Sequence, residues 1–329
     1  MPALRNVVVV GGSYVGVATA KELASVVPAT HRWEGSRKLT FDYLVAASGT
    51  RLAVPGTLPD DDKKSNVKYL QGWQQDIKEA NSVAIVGGGA VGVQMATDLK
   101  EIYPEKEVIL IHSRTKLMPL YHEALSDLIK DRFKELGVKL VAGSRVIVPE
   151  GGFPRDGKPT EVKLLDGTSV SADLVIQATG QTANTQFLST LEPTSDSSLI
   201  NPVNGFIRVR PTLQFQDPKF PNLFAVGDIA DSGAHKAARP GVGQAIVVAK
   251  NITSLIGGKE PQEHVVILPA AIHLTLGLTK NVIFRNPDPE AGNTEPSYTL
   301  KDDGSRDMGV NGVWARRGVS VSNEADYHL

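Results

Sequence analysis

"SVAIVGGGAVGVQMATDLKEIYPEKEVILIHSR" occupies positions 82–114, and the spacing of its glycines decides the fold. The apolar run Val83 to Val86 reads as a strand buried on both faces. Gly87, Gly89 and Gly92 follow as G-x-G-x-x-G, and Val91 to Tyr103 has helical spacing ended by Pro104. Glu107 to Ile111 is the next strand. A strand, glycine turn, helix and strand in this order make a dinucleotide-binding unit. The first glycine makes the turn, the second lets a pyrophosphate approach the backbone, and the third lets helix pack on sheet. At Ala90 and Val91 the helix offers free N–H groups and the positive end of its dipole to phosphates. A tight turn in another α/β fold is the weaker reading.

His112, Ser113 and Arg114 end the second strand, twenty residues or so after Gly92. An Asp or Glu there would accept hydrogen bonds from a ribose 2′-hydroxyl. A hydroxyl and a guanidinium instead suit a 2′-phosphate, because Arg makes paired, charge-assisted bonds to it. NADPH is therefore expected over NADH, with Arg114 as a solvated strand-end charge the bland alternative.

A second, weaker loop lies 76 residues upstream in "VVVVGGSYVGVATAKELA", positions 7–24. Asn6 to Val10 reads as a buried strand and Tyr14 to Val27 as a helix stopped by Pro28. Gly11, Gly12 and Gly16 are in place, and Ser13 replaces the middle glycine with a small side chain whose hydroxyl can bond a phosphate. The expected second strand does not follow. "PATHRWEGSR", positions 28–37, has no apolar run, so no strand fixes Glu34 or Ser36 where a ribose ligand belongs. Gly16 to Phe41 leaves 25 residues including a helix, against about 30 or more for a conventional βαβ unit.

Elsewhere, His122 to Leu136 reads as an amphipathic helix capped by Gly137. Asp166-Gly167 marks a hairpin, Leu174 to Ala178 a buried strand, "PNLFAVGD" another, and Gly241 to Ile256 a helix. The charged stretch "PDDDKKSN", 59–66, is read as a solvated loop. The apolar stretch Val265 to Phe284 is broken by Pro269, His273, Lys280 and Asn281 and is not a membrane span. The chain of 329 residues is 41% hydrophobic and carries a net charge of −1, which gives no electrostatic reason to expect nucleic acid. Without cysteine it has no disulfide, thiolate metal site, Fe–S cluster or catalytic thiol. Its seven histidines lack metal-binding spacing, so no metal is expected. No tyrosine has a lysine four residues on, and G-x-S-x-G is absent, which excludes short-chain dehydrogenase and serine-hydrolase readings. Nor is a signal peptide expected, because the apolar run of four valines ends in a glycine loop and is too short for one.

"FDYLVAASGT" (41–50), "DLVIQATG" (173–180) and "NLFAVGDIAD" (222–231) resemble, in that order, the strand-and-turn motifs of pyridine-nucleotide-dependent FAD oxidoreductases. "YPEKEVILIHSR", "GDIADSGAHKAARPG" and "KDDGSRDMGVNGVWARRG" resemble more narrowly the apoptosis-inducing-factor-like (AMID, or ferroptosis-suppressor type) branch, over residues 1–32 and about 40–329. The resemblance implies two interleaved doubly wound α/β domains. These are an FAD domain at 1–77 and 201–262, an NAD(P)H domain at 78–200 and a C-terminal β-rich segment at 263–329. Relatives carry a long block between the positions of Arg32 and Trp33, which this chain lacks, so its first domain is expected to be truncated between 32 and 40.

The resemblance adds Ser48, Gly49 and Gly180 to the cofactor contacts, with Gly227 and with Asp228 on the FAD ribityl chain. Lys236 would lie near the flavin; a surface lysine is its plain alternative. Relatives pair that lysine with a glutamate where this chain has Gln94, leaving hydrogen bonding as the role for the second catalytic candidate. His235 could donate a proton to a reduced quinone or be merely solvated. The implied activity is hydride transfer from NADPH to FAD, with electrons passed to a small-molecule acceptor such as a quinone. A flavin-deficient, catalytically silent form that binds only NADPH is the alternative. The expected setting is cytoplasmic, with peripheral contact to mitochondrial or other intracellular membranes left open, as is the oligomeric state.

Overall fold

The computed structural model describes residues 5–26, 39–306, 309, 311–316 and 318–323. The chain begins with β1 (Val7–Val10), α1 (Tyr14–Val26), β2 (Tyr43–Ala46) and β3 (Thr50–Leu52). Then come α2 (Lys63–Glu79), β4 (Ser82–Val86), α3 (Ala90–Ile102), β5 (Glu107–His112), α4 (Glu123–Leu136) and β6 (Lys139–Ala142). β7 (Thr160–Lys163), β8 (Ser169–Ala172), β9 (Leu174–Gln177), β10 (Gln181–Ala183), β11 (Ile207–Arg208), β12 (Leu223–Ala225) and β13 (Ala230–Asp231) follow. The described chain closes with α5 (Ala238–Ile256), β14 (Ala271–Thr275), β15 (Lys280–Arg285), β16 (Ser297–Asp302) and α6 (Asn311–Arg316). Packing divides it into two compact units, Met1–Arg51 with Gln181–Leu268 and Leu52–Gly180 with Pro269–Leu329.

In the first unit a parallel sheet runs β1-β2-β12, in register Val7 to Tyr43 and Leu223 to Leu44. All four valines of β1 are only half-buried, because among the described residues no strand lies beyond it. Val45, Phe224, Val226, Val248 and Ile252 form the core between this sheet and the long helix α5.

The second unit holds a complete parallel sheet, β6-β5-β4-β9. β4 lies between β5 and β9, so Val83, Ala84 and Ile85 are wholly inaccessible to solvent, as a strand with two neighbours and two covered faces requires. Helices α3 and α4 cover one face through Val93, Ala96, Leu125, Ile129 and Phe133. The hairpin β7-β8 turns at Asp166-Gly167, where Gly167 has φ +86°. The antiparallel sheet β14-β15-β16 shares the α3–α4 core through Leu274, Val282 and Phe284.

The segment read as a solvated loop, 59–66, is half helix. Asp62 caps α2 by accepting from Ser65 N–H at 2.7 Å, so Lys63 to Asn66 form its first turn. A local cap, followed by Trp73 buried against the second core, outweighs the solvation of the charges. Gly137 ends α4 at φ +75°, the left-handed cap expected of it. No helix of the described residues is long and apolar enough to cross a membrane, and the Val265–Phe284 stretch carries β14 and most of β15. Val27, Arg32, Trp33, Glu34 and Ser36 lie outside the described residues.

Candidate dinucleotide and flavin sites

The second unit builds the fuller loop. A Cβ on Gly92 would collide with the Gly87 carbonyl, so only glycine lets α3 start this close to β4. Gly89 is the N-cap of α3 and has no side-chain cap bond, while the space where its Cβ would stand is open to 4 Å. The first N–H groups of α3, at Ala90 and Val91, thus end in an open cradle without a competing acceptor among the described residues, which fits a pyrophosphate.

The end of β5 ties this loop down. Gly87 N–H donates to Ile111 O at 2.8 Å, Gly88 N–H to His112 Nδ1 at 3.0 Å, and Met118 N–H to Gly88 O at 2.9 Å. Because a backbone N–H can only donate, His112 Nδ1 is bare and the ring carries its proton on Nε2. That atom is buried without a hydrogen-bond partner among the described residues. Burial pushes the His112 pKa down, the Lys116 backbone partly opposes this, and the nearby Arg114 charge adds a smaller downward push. Ser113 and Arg114 stand exposed at the strand end, and Gly180 is exposed in the turn after β9. On α3, Gln94 Nε2 donates to Thr275 Oγ1 of β14 at 2.7 Å. The side chain is held by a hydroxyl 181 residues away in sequence.

The first unit repeats the loop geometry. Gly11 has φ +129° where Gly87 has +127°, and a Cβ on Gly16 would strike the Gly11 carbonyl as one on Gly92 would strike Gly87. Ser13 is exposed at the start of α1, its carbonyl accepting from Val17 N–H at 2.9 Å. Ser48 and Gly49, in the turn after β2, are fixed by Asn184. Ser48 Oγ donates to Asn184 O at 2.9 Å, Asn184 Nδ2 to Ser48 O at 3.0 Å, and Asn184 N–H to Gly49 O at 3.1 Å.

Gly227, at φ +74°, makes the turn that presents Asp228. Its ideal Cβ would stand 3.1 Å from Val15 in the first turn of α1, so this turn and the α1 N-terminus lie together. The buried Gln244 of α5 accepts from Gly227 N–H at 2.7 Å and donates to Ser232 Oγ at 3.0 Å. Sequence reading passed over Gln244 and Asn184; a polar residue on the apolar stripe of α5 was the one signal available for Gln244. The half-buried Asp228 carboxylate has no hydrogen bond among the described residues. Burial raises its pKa, while the Lys236 and His235 charges pull the other way. An acceptor without a donor at a helix N-terminus fits a polyol hydroxyl.

Lys236 is half-buried, and its ammonium donates to Ala230 O and lies 4.0 Å above the Phe206 ring. Burial lowers its pKa, and Asp228 and Asp231 partly restore it. The residue read as either flavin neighbour or surface charge is therefore anchored. Among the described residues no acidic and histidine cluster could hold a metal ion.

Residues 26–249 match the family model described as pyridine nucleotide-disulphide oxidoreductase. The chain is 35% identical over 303 residues to Fe-regulated protein 8 of Mycosarcoma maydis, covering 88% of this chain and 71% of that protein. It is 30% identical over 230 residues to ferroptosis suppressor protein 1 of Mus musculus, covering 68% of this chain and 59% of that protein. The sulfide:quinone oxidoreductase of Aquifex aeolicus shares the fold at a TM-score of 0.68 and 15% identity, over 96% of this chain and 90% of that one. Without cysteine, the chain lacks the redox pair to which the family's description refers. From its two glycine loops, its parallel sheets and these likenesses, the chain belongs to the pyridine nucleotide-disulphide oxidoreductase family, in the branch that resembles apoptosis-inducing factor and ferroptosis suppressor protein.

Proposed function

We propose that the chain is an FAD-dependent NAD(P)H oxidoreductase that takes NADPH in preference to NADH and reduces a quinone-like acceptor. In net terms NADPH, a proton and a quinone yield NADP+ and a hydroquinone. The observation that carries this reading is the repetition of one phosphate-binding loop geometry in both units. When bound, the nicotinamide supplies a hydride and the flavin relays its two electrons to the acceptor.

The chain's own residues position and neutralise. Gly87, Gly89 and Gly92, with the Ala90 and Val91 N–H groups, would hold the NADPH pyrophosphate. Ser113 and Arg114 would take the 2′-phosphate, and Gly180 would leave room beside the nucleotide. Gly11, Gly12, Ser13 and Gly16 would hold the FAD pyrophosphate, with Ser48 and Gly49 beside it and Asp228 accepting from the ribityl chain at Gly227. Lys236 would place a positive charge near the flavin, and Gln94 would act through its amide. The FAD domain is assigned to 1–77 and 201–262, the NAD(P)H domain to 78–200, and a cytoplasmic setting to the whole.

The half-buried edge strand β1 favours the second reading, a chain that binds NADPH but retains no flavin. The visible spectrum after incubation with FAD and removal of the unbound fraction separates the two. A retained flavin band that bleaches anaerobically with NADPH, and quinone consumption matching NADPH oxidation, are expected. A colourless protein that still binds NADPH would establish the silent form.

A further inference from the structure

We propose that His112 is a positioning residue: its bare Nδ1 latches the second glycine loop in the nucleotide-binding form, and protonation releases it. The proposal rests on the nucleotide-binding reading above and goes beyond it, because it removes His112 from the ligands and makes it a support of the loop.

The geometry leaves the ring one job. Nδ1 accepts from Gly88 N–H at 3.0 Å, one residue before the N-cap of α3. Gly88 is held from its other side by Met118 N–H, so both of its backbone groups are engaged. Space around it is closed. A Cβ on Gly88 would stand 2.5 Å from Leu117 Cδ2 and 2.7 Å from His112 Cγ, so neither ring nor loop can slip past the other. The charged group that acts on the ring is Arg114, in the turn after β5, and the same turn brings the Lys116 backbone to it. Gly88 and the Leu117 side chain that pack on the ring bring no charge. A second proton on the imidazole must sit on Nδ1, facing the Gly88 N–H donor. Two donors cannot share that line, and with the ring boxed in, the loop has to turn, carrying the Gly89, Ala90 and Val91 amides away from the phosphate. Burial resists that proton more than the Lys116 backbone favours it, and Arg114 adds a smaller opposition, so release is expected in acid, below the usual histidine range, with the latch closed at neutral pH.

The test measures ADP-ribose affinity by calorimetry between pH 5.5 and 8. This probe carries the pyrophosphate, has no group that titrates in the window, and lacks the acid-labile dihydronicotinamide. Wild type should weaken by about tenfold toward acid, the worth of one charge-assisted hydrogen bond to phosphate. His112→Asn places an amide oxygen where Nδ1 stands and cannot take up a proton, so it should bind as wild type at pH 8 and stay flat. His112→Phe keeps the ring without the acceptor and should be weak and flat at both ends. Wild-type affinity that is constant or tightens in acid overturns the proposal, as does an Asn variant whose binding still weakens in acid.

Nitrogen-15 histidine spectra of the wild-type apo chain judge the latch apart from any ligand. A bare Nδ1 at neutral pH supports it, and an Nδ1-protonated ring overturns it even if every variant fails to fold. Absence of ADP-ribose binding at all pH values, with a bare Nδ1, would instead sink the nucleotide-binding reading and the affinity role of the latch together.

Discussion

The two glycine loops of this chain share their backbone and differ in their support. Gly11 and Gly87 have nearly the same φ, and Gly16 and Gly92 make the same close approach to the carbonyl before them. Around Gly88, however, Leu117 and the His112 ring close in, whereas among the described residues nothing lies within 4 Å of where a Cβ on Gly12 would stand. The difference follows from the next strand. β5 lies beside β4 and brings its end onto the second loop, while β1 has a neighbour on one side only among the described residues. A glycine loop is thus encoded locally, but its rigidity comes from the strand that follows. Among the described residues the second loop is buttressed and the first stands open.

The shared part of the comparison breaks most visibly at the helix starts. Gly92→Val drives a side chain into the Gly87 carbonyl and should cost on the order of 3 kcal/mol or more, with loss of nicotinamide nucleotide binding. Gly16→Val should do the same to flavin retention, and thermal melts with each cofactor check both.

The unshared part is sharper at the neighbouring position. Gly88→Ala has to displace Leu117 and His112 and should destabilise by about 1–3 kcal/mol. Gly12→Ala enters open space and should stay within about 0.5 kcal/mol of wild type. Equal melting points for the two alanine variants would show that the first loop is as tightly supported as the second.

Arg114 extends the contrast to the nucleotide itself. Arg114→Ala should weaken NADPH by about tenfold, the worth of one exposed charge-assisted hydrogen bond, and leave NADH nearly unchanged. Titration with both nucleotides decides between a 2′-phosphate ligand and a solvated charge.

The smallest effect lies along α3. Burial pushes the Asp98 carboxyl up to about 6, with Glu101 adding to it, and Asp98 Oδ1 is buried without a partner among the described residues. A group bound more tightly to its proton in the folded state favours folding fully below the unfolded value near 4 and loses that as pH rises through about 6. Asp98→Asn should therefore raise stability by about 1 kcal/mol above pH 6 and add nothing near pH 4. Melting curves at pH 4 and 7.5 measure it.

Most of the secondary structure and both loops were legible from residue order. Apolar runs, Gly-x-Gly-x-x-Gly spacing, Asp166-Gly167 and the Gly137 cap each act over a few residues, and periodicity reports such local preferences directly. The helix α2 was not, because its charged start at 59–66 has the composition of a loop, and its apolar anchor Trp73 faces a core assembled from distant segments.

The site divides along the same line. Sequence by itself determined where the two glycine turns lie, each between a strand and a helix, and that a cation, Arg114, ends β5. Only the tertiary structure decided what the other side chains do. Gln94 is taken by Thr275, Lys236 by Ala230 and Phe206, His112 by Gly88, and the Gly227 turn by Gln244. Those partners stand 6 to 181 residues apart in the chain. A hydrogen bond is fixed by positions in space, which the packing of sheets and helices sets and local residue preference does not.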